Sequence, residues 1–184
     1  MSQDPDRIIR SHVLWAIGAG LLPIPLVDFA AVTAVQLDML KDLAACYGVD
    51  YDRSSGKAFV SALTSTTFAA IGSSIVKAIP GLGSVLGGVS MALMSGASTY
   101  AVGQVVKQAY ATSGSLEGLD LRAARRAYEE AFEQGKSYVA DLQREKDKAT
   151  QIFESLERLE KLKQDGLLTE AEFEAKKQEL FSRL

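Results

Sequence analysis

The chain has 184 residues, with 20 basic and 23 acidic side chains, a formal net charge of -3, one histidine and one cysteine. That length suits one domain, or one domain with an appendage. No basic excess is present to neutralise a phosphate backbone, and a lone cysteine without partner spacings excludes an internal disulfide framework and a zinc motif.

Charge is segregated. Residues 1–110 carry seven basic and seven acidic side chains, whereas 111–184 carry thirteen and sixteen, so an apolar half precedes a charge-dense one. The first residues, Met-Ser-Gln-Asp-Pro-Asp, are acidic and do not resemble a cleavable secretory signal, which makes the cytoplasm or its membrane face the expected location. Asp4-Pro5 is a helix-start signal: Asp as N-cap, Pro at the first helical position, where its missing N–H costs nothing. The spacing of Ile8, Ile9, Val13, Leu14, Ile17 and Leu21 predicts a helix from about Pro5 to Leu22. His12 lies in it with no second ligand or nucleophile beside it in sequence, and a surface or hydrogen-bonded role is expected.

Pro23-Ile24-Pro25 stops that helix, because each proline biases its predecessor away from helical angles. A second helix is expected from near Leu26 to Gly48, with Val32, Val35, Met39, Leu43 and Cys46 on its apolar face and Cys46 as a small core residue. Asp28 falls in its first turn, where the helix dipole favours a carboxylate; gripping neighbouring backbone or an ion pathway is the other reading. Residues 48–56 read as a polar connector. Its Ser-Gly-Lys is not a P-loop, since the first glycine is misplaced and Ala58 stands where the magnesium-binding hydroxyl belongs.

From Arg53 to Leu116 there is no Asp or Glu across 64 residues. From Ala58 to about Ile79, small residues recur every fourth position: Ser61, Ser65, Ala69 and Ser73. After Pro80-Gly81-Leu82-Gly83 the row resumes as Ser84, Gly88, Ala92 and Gly96, with Gly83, Gly87, Ser95, Thr99 and Gly103 beside it. Such rows let helix backbones approach closely. The glycines weaken an isolated helix by about 1 kcal/mol each, which packing must offset. The expectation is an antiparallel helical hairpin turning at Pro80, Gly81 and Gly83. About twenty residues suffice to span a bilayer. Yet Ala58–Val76 holds seven Ser and Thr, and Lys77 sits near the hairpin tip, so a spanning hairpin and a tightly packed soluble core both stand. Gly81-x-Gly83 followed by Leu86 is not a dinucleotide fingerprint, because no strand precedes it.

A charged helix is predicted from about Asp120 to Asp165, roughly 70 Å long. Its heptad seam would run Tyr128, Ala131, Gly135, Tyr138, Leu142, Glu145, Ala149, Ile152, Leu156 and Leu159, with Gly135 and Glu145 as faults. A partner helix from another copy, or a shorter helix kinked near Gly135 and folded back, would cover it. Gly166 ends this helix. Thr169-Glu170-Ala171-Glu172 is a capping box opening a last helix to Leu184. Leu159, Leu162, Leu168, Phe173 and Leu180 give the terminal hairpin an apolar face too small to stand alone, read here as a tail oligomerisation surface.

Residues from about 159 to 184, with Leu-x-x-Leu, Gly166, Leu168-Thr169, Glu172-Phe173, Lys176-Lys177 and Leu180, resemble the short C-terminal SHOCT domain, which implies oligomerisation or attachment. Pro23-Ile-Pro25-x-x-Asp28, then Gln36-x-x-Met39-x-x-x-Leu43-Ala44-x-x-Tyr47-Gly48, and Ile79-Pro80-Gly81-Leu82-Gly83 resemble the bacterial domain-of-unknown-function family 697 over about residues 8–110. That family is often fused to, or encoded near, small GTPase-like domains and often described as membrane proteins. This implies a link to a partner GTPase, since no GTPase domain is visible here.

The expectation is an all-α protein in three parts: 1–116 an apolar, membrane-associated helical domain, 117–153 a charged connector with coiled-coil tendency, 154–184 a SHOCT-like hairpin. The expected function is a non-enzymatic, oligomerising, membrane-associated scaffold or adaptor, with no catalytic, cofactor or metal site and no nucleic-acid partner. Its partners would be further copies, a lipid membrane, and a GTPase or other protein met through the tail. Its place would be the cytoplasmic face of a membrane or the membrane itself. The alternatives are a soluble, cytoplasmic all-α self-assembling scaffold, and a pore lined by Ser61, Thr64, Ser65 and Thr67. An enzyme is not expected, because one His, one Cys and no paired carboxylates in the apolar half leave no constellation to assemble.

Overall fold

The computed structural model describes the backbone of residues 4–19, 25–75, 83–165 and 167–182, and side chains for all of these except 19, 25–29, 66–75 and 83–90. Among the described residues there are six helices and no strand, the all-α class expected: α1 (Pro5–Ala19), α2 (Pro25–Tyr47), α3 (Arg53–Ile75), α4 (Gly83–Thr112), α5 (Leu121–Gln164) and α6 (Glu170–Phe181). The chain divides into two compact units, Met1–Val139 and Ala140–Leu184, with α5 contributing to each.

Local chemistry accounts for several helix ends. Asp4 accepts the Asp6 N–H on its carboxylate at 3.0 Å, and its carbonyl takes the Arg7 amide beside the first intrahelical bond from Ile8, so two orphan donors of α1 are satisfied. α2 closes in a Schellman motif. Gly48 adopts φ +67°, its N–H donates to Ala45 O at 3.3 Å, and the Val49 N–H donates to Ala44 O at 2.9 Å. α3 corrects the expected boundary. It starts at Arg53 rather than Ala58, because Asp52 acts as N-cap, accepting the Ser55 N–H on its carboxylate at 2.7 Å while its carbonyl accepts from Gly56. Residues 53–56, read as connector, are therefore the first turn of a helix. Tyr51 folds under that turn, its hydroxyl donating to Leu37 O at 3.0 Å and its ring 3.2 Å from where a Cβ on Gly56 would sit.

The first unit is assembled around α4, against which α1 and then α2 pack most extensively. Its core is formed by Ile9, Val13 and Ala16 of α1, Val32, Met39, Leu40 and Leu43 of α2, Val60 and Leu63 of α3, and Val102 and Val106 of α4, each nearly inaccessible. Burying each large aliphatic side chain here stabilises the unit by about 1.5–3 kcal/mol. Cys46, expected in this core, is half-buried, since it lies in the last turn of α2 beside its exposed Gly48 cap.

Three glycines mark where backbones come closest. A Cβ on Gly103 would lie 2.9 Å from Ile9 Cγ1 and 3.1 Å from Met39 Sδ; on Gly96 it would lie 2.8 Å from Ile17 Cγ1 and from Val139 Cγ2. On Gly135 of α5 it would lie 2.8 Å from Ala97 O and 3.0 Å from Ala97 Cα. Gly135 is thus not a fault in a seam but the contact that lets α5 meet the α4 backbone. The first part of the expected heptad is used the same way, within one chain: Tyr128 and Ala131 are buried, as is Phe132 beside the seam, and the Tyr138 ring lies 4.8 Å from that of Tyr100. Helix α5 runs unbroken through Gly135, so no helix end occurs there.

In the second unit, the capping box forms as expected. Thr169 Oγ1 accepts the Glu172 N–H at 3.4 Å, and the Glu172 carboxylate accepts the Thr169 N–H at 2.9 Å. Lys163 ties α5 to α6, pairing with Glu170 at 2.7 Å and sitting 4.6 Å above the Phe173 ring. None of the described residues of α6 is buried.

Candidate functional site

Inside the first unit a polar node crosses three helices. Gln36 of α2 donates from Nε2 to Ser98 Oγ at 3.2 Å and Thr99 Oγ1 at 3.4 Å on α4, and the Tyr128 hydroxyl of α5 donates to the same Ser98 Oγ at 3.0 Å. All four residues are essentially inaccessible. Gln36 Oε1 has no hydrogen-bond partner, a cost of about 1–3 kcal/mol for a buried acceptor. Ser98 faces an amide and a phenol, neither of them a general base, so the node sets helix register rather than activating a nucleophile.

The displaced titrations run away from reactivity. Lys107 holds both carboxylate oxygens of Asp6, at 2.6 and 2.7 Å; that hydrogen bond raises its pKa and keeps it a cation, whereas an amine nucleophile needs the opposite shift. Burial pushes Tyr110 up to about 12 and raises Tyr51, so both stay neutral phenols. Asp52 and Glu172 are lowered by their capping hydrogen bonds. A groove of about 310 Å³ between α4 and α5 is lined mainly by alanine and glutamine, with Lys107 and Glu130 as its charged residues.

The outward face of α1 is different in kind. Ile8, Ile9, His12, Val13 and Ala16 point inward, leaving Arg7, Arg10, Ser11, Leu14, Trp15 and Gly18 along one exposed stripe at the spacing i, i+3, i+4, i+7. The stripe grades from cationic to apolar: Trp15 is 72% exposed and Leu14 46% exposed. Trp15 is the chain's single tryptophan. Sequence periodicity placed Leu14 with the inward residues, and the structure turns it out, because Val13 and Ala16 already occupy the side facing α4.

Of the small-residue row, Ala92 and Gly96 are buried in the first unit, whereas Ser61 and Ser65 are exposed. The side chains of Ala69, Ser73, Ser84 and Gly88 lie outside those described. Thr64 is buried and donates to Val60 O at 2.9 Å, so it does not share the exposed face of Ser61 and Ser65; Thr67 falls within α3, its side chain outside those described. Pro80 and Gly81 lie outside the described residues, and Gly83 opens α4. Pro23 also lies outside, while Pro25 and Asp28 fall within α2 without described side chains. In the second unit Leu159, Leu168, Phe173 and Leu180 are half-exposed and Leu162 is 40% exposed, and Leu167 at 70% and Phe153 at 61% extend the uncovered apolar surface. Among the described residues, no helix is long and apolar enough to cross a membrane.

The family described as Domain of unknown function (DUF697) matches residues 5–136, from the start of α1 into α5. That is longer than the 8–110 carrying the signature residues, and it takes in Tyr128 and Gly135, the α5 residues that dock on α4. Magnetosome membrane protein 22 of Magnetospirillum gryphiswaldense is 35% identical over 149 residues, covering 78% of this chain and 76% of the relative. No solved structure matches the chain.

Proposed function

The chain belongs to the DUF697 family, and from that premise we propose that it is a non-enzymatic membrane-associated protein that seats the outer stripe of α1 on a lipid surface and self-associates through its tail. The observation that carries the reading is Trp15, 72% exposed beside Leu14 on a helix whose other side is locked into the core. A tryptophan with an apolar body and a polar N–H suits the headgroup boundary, and Arg7 and Arg10, one to two turns back, suit anionic lipid. The relative named as a magnetosome membrane protein supports the same reading.

Magnitudes link the two halves. Burying Trp15 and Leu14 is worth on the order of 4–5 kcal/mol, and each arginine near an anionic surface adds about 1 kcal/mol. The total of roughly 6–7 kcal/mol corresponds to a dissociation constant on the order of tens of micromolar. One copy binds reversibly; several joined copies bind far more tightly, because attachment of the second is effectively intramolecular. The uncovered Leu and Phe side chains of the second unit are the surface that would join them, and residues 159–184 fit a SHOCT-like attachment unit. A GTPase-type partner, implied by the family resemblance, would meet the same tail.

The single tryptophan makes the test direct. Titrated with vesicles containing anionic lipid, the protein should co-sediment and its fluorescence shift to the blue; Leu14→Ser with Trp15→Ser should abolish sedimentation. Protein bound with unshifted emission would remove α1 as the contact, and protein left in the supernatant would favour the soluble scaffold. Light scattering on the full chain and on one stopped before Gln151 tests the tail; equal monomer masses would refute self-association through it.

A further inference from the structure

We infer that His12, Asp38 and Asp42 form a binding site for a divalent first-row transition-metal ion, joining α1 to α2. His12 is buried, its side chain only 10% exposed, while Asp38 and Asp42, one turn apart on α2, reach it from the solvent side. One ligand atom from each of the three lies within 4.8 Å of the others.

The tautomer follows from the hydrogen bonds. His12 Nδ1 lies 2.9 Å from the Ile8 carbonyl oxygen, which can only accept, so Nδ1 carries the proton. Ser11 Oγ, 3.4 Å from Nδ1, already donates to the same carbonyl at 2.8 Å and does not compete. Nε2 is the ring nitrogen left to face the carboxylates. It faces Oδ2 of Asp38 at 3.5 Å and Oδ2 of Asp42 at 3.7 Å. Both distances exceed the roughly 2.7–2.9 Å of a charge-assisted N–H···O bond. One ring nitrogen and two carboxylate oxygens therefore converge, and the carboxylates themselves are a repulsive i, i+4 pair.

A metal ion reverses each of these terms. With bonds of about 2.0–2.2 Å, three ligand atoms around one ion stand roughly 3–3.5 Å apart, a few tenths of an ångström inside the two separations from His12, with the two carboxylates, now within 4.8 Å of each other, drawn together by more. Asp38 and Asp42, exposed at 64% and 44%, can turn by that much. A ligating histidine that donates its other N–H to a backbone carbonyl is the usual arrangement that holds the ring's tautomer and angle. One imidazole with two carboxylates suits zinc, iron, cobalt or manganese rather than calcium, which takes six to eight oxygens. A recess of about 400 Å³ lined by Asp4, Arg7, Ile8, Ser11 and Asp42 borders the cluster on its Asp42 side.

The ligands come from residues 26 and 30 positions apart in sequence, which is why no motif spacing reveals them. The test is equilibrium dialysis of the tag-free full chain against Zn²⁺ at pH 7, with proton and nitrogen NMR of the single histidine. One ion per chain is expected, with the Nε2 resonance moved and the Nδ1 proton retained, and a thermal midpoint raised by several degrees at saturation. Asp38→Asn, at an exposed position, should weaken binding at least tenfold and remove the midpoint shift; Asp50→Asn should change neither. No bound zinc at millimolar concentration, an unmoved Nε2 resonance, or equal loss in Asp38→Asn and Asp50→Asn (an adventitious surface ion only) would overturn the site.

Discussion

Replacing Gly135 with alanine isolates what glycine does at the α4–α5 crossing. Helix propensity alone favours the change, by about 1 kcal/mol in a helix interior. Packing opposes it. The new methyl carbon would stand 2.8 Å from Ala97 O, 3.0 Å from Ala97 Cα and 3.1 Å from Tyr100 Cδ1, and two of those atoms are backbone that no rotamer change can move. The helices would have to separate along the seam that carries Tyr128, Phe132 and Tyr138, and overpacking of this kind costs about 1–3 kcal/mol. The net expectation for Gly135→Ala is a loss of up to about 2 kcal/mol, lowering the thermal midpoint by up to roughly 8 °C for a chain of this size. Gly18 on α1 is the control, because a Cβ there meets nothing within 4 Å. Gly18→Ala should gain up to about 1 kcal/mol. Thermal unfolding of the two variants by circular dichroism decides the matter: midpoints moving in opposite directions are expected, and a rise in both would refute the close-approach reading of Gly135.

Other perturbations follow from the same structure. Tyr110 is 6% exposed and its pKa is pushed up to about 12 by burial. A raised folded-state pKa means its contribution is complete below pH 10 and is lost between about 10 and 12, at most about 2–3 kcal/mol; Tyr110→Phe should flatten the decline in urea midpoint between pH 9 and 11.5. Tyr128→Phe removes the hydroxyl that donates to Ser98 and should cost about 1 kcal/mol by denaturant titration, without loss of helix content. Thr169→Ala deletes one half of the capping box and should cost α6 about 1 kcal/mol, seen as faster amide exchange at residues 170–173; unchanged exchange there would contradict the cap's role.

The sequence by itself determined what depends on near neighbours. Asp4-Pro5, Gly48 and the Thr169–Glu172 box set helix ends through hydrogen bonds that span only a few residues, so those ends are legible without a fold. The all-α class follows from the same periodicities, and the charge partition announces a core-forming half and an exposed one. The rows of small residues announce that helix backbones approach closely, but periodicity cannot say which helix approaches. Only the tertiary structure decided that Gly96 meets α1 and α5, that Gly103 meets α1 and α2, and that Gly135 meets α4 instead of interrupting a coiled coil. The start of α3 at Arg53 was missed because Asp52 caps a first turn made of serine and glycine, which in sequence has the composition of a loop. Leu14 and Trp15 became a surface, and His12, Asp38 and Asp42 became a cluster, for one reason. A helix face is apolar or polar by composition, but it is buried or free only according to the sides its neighbours have already taken.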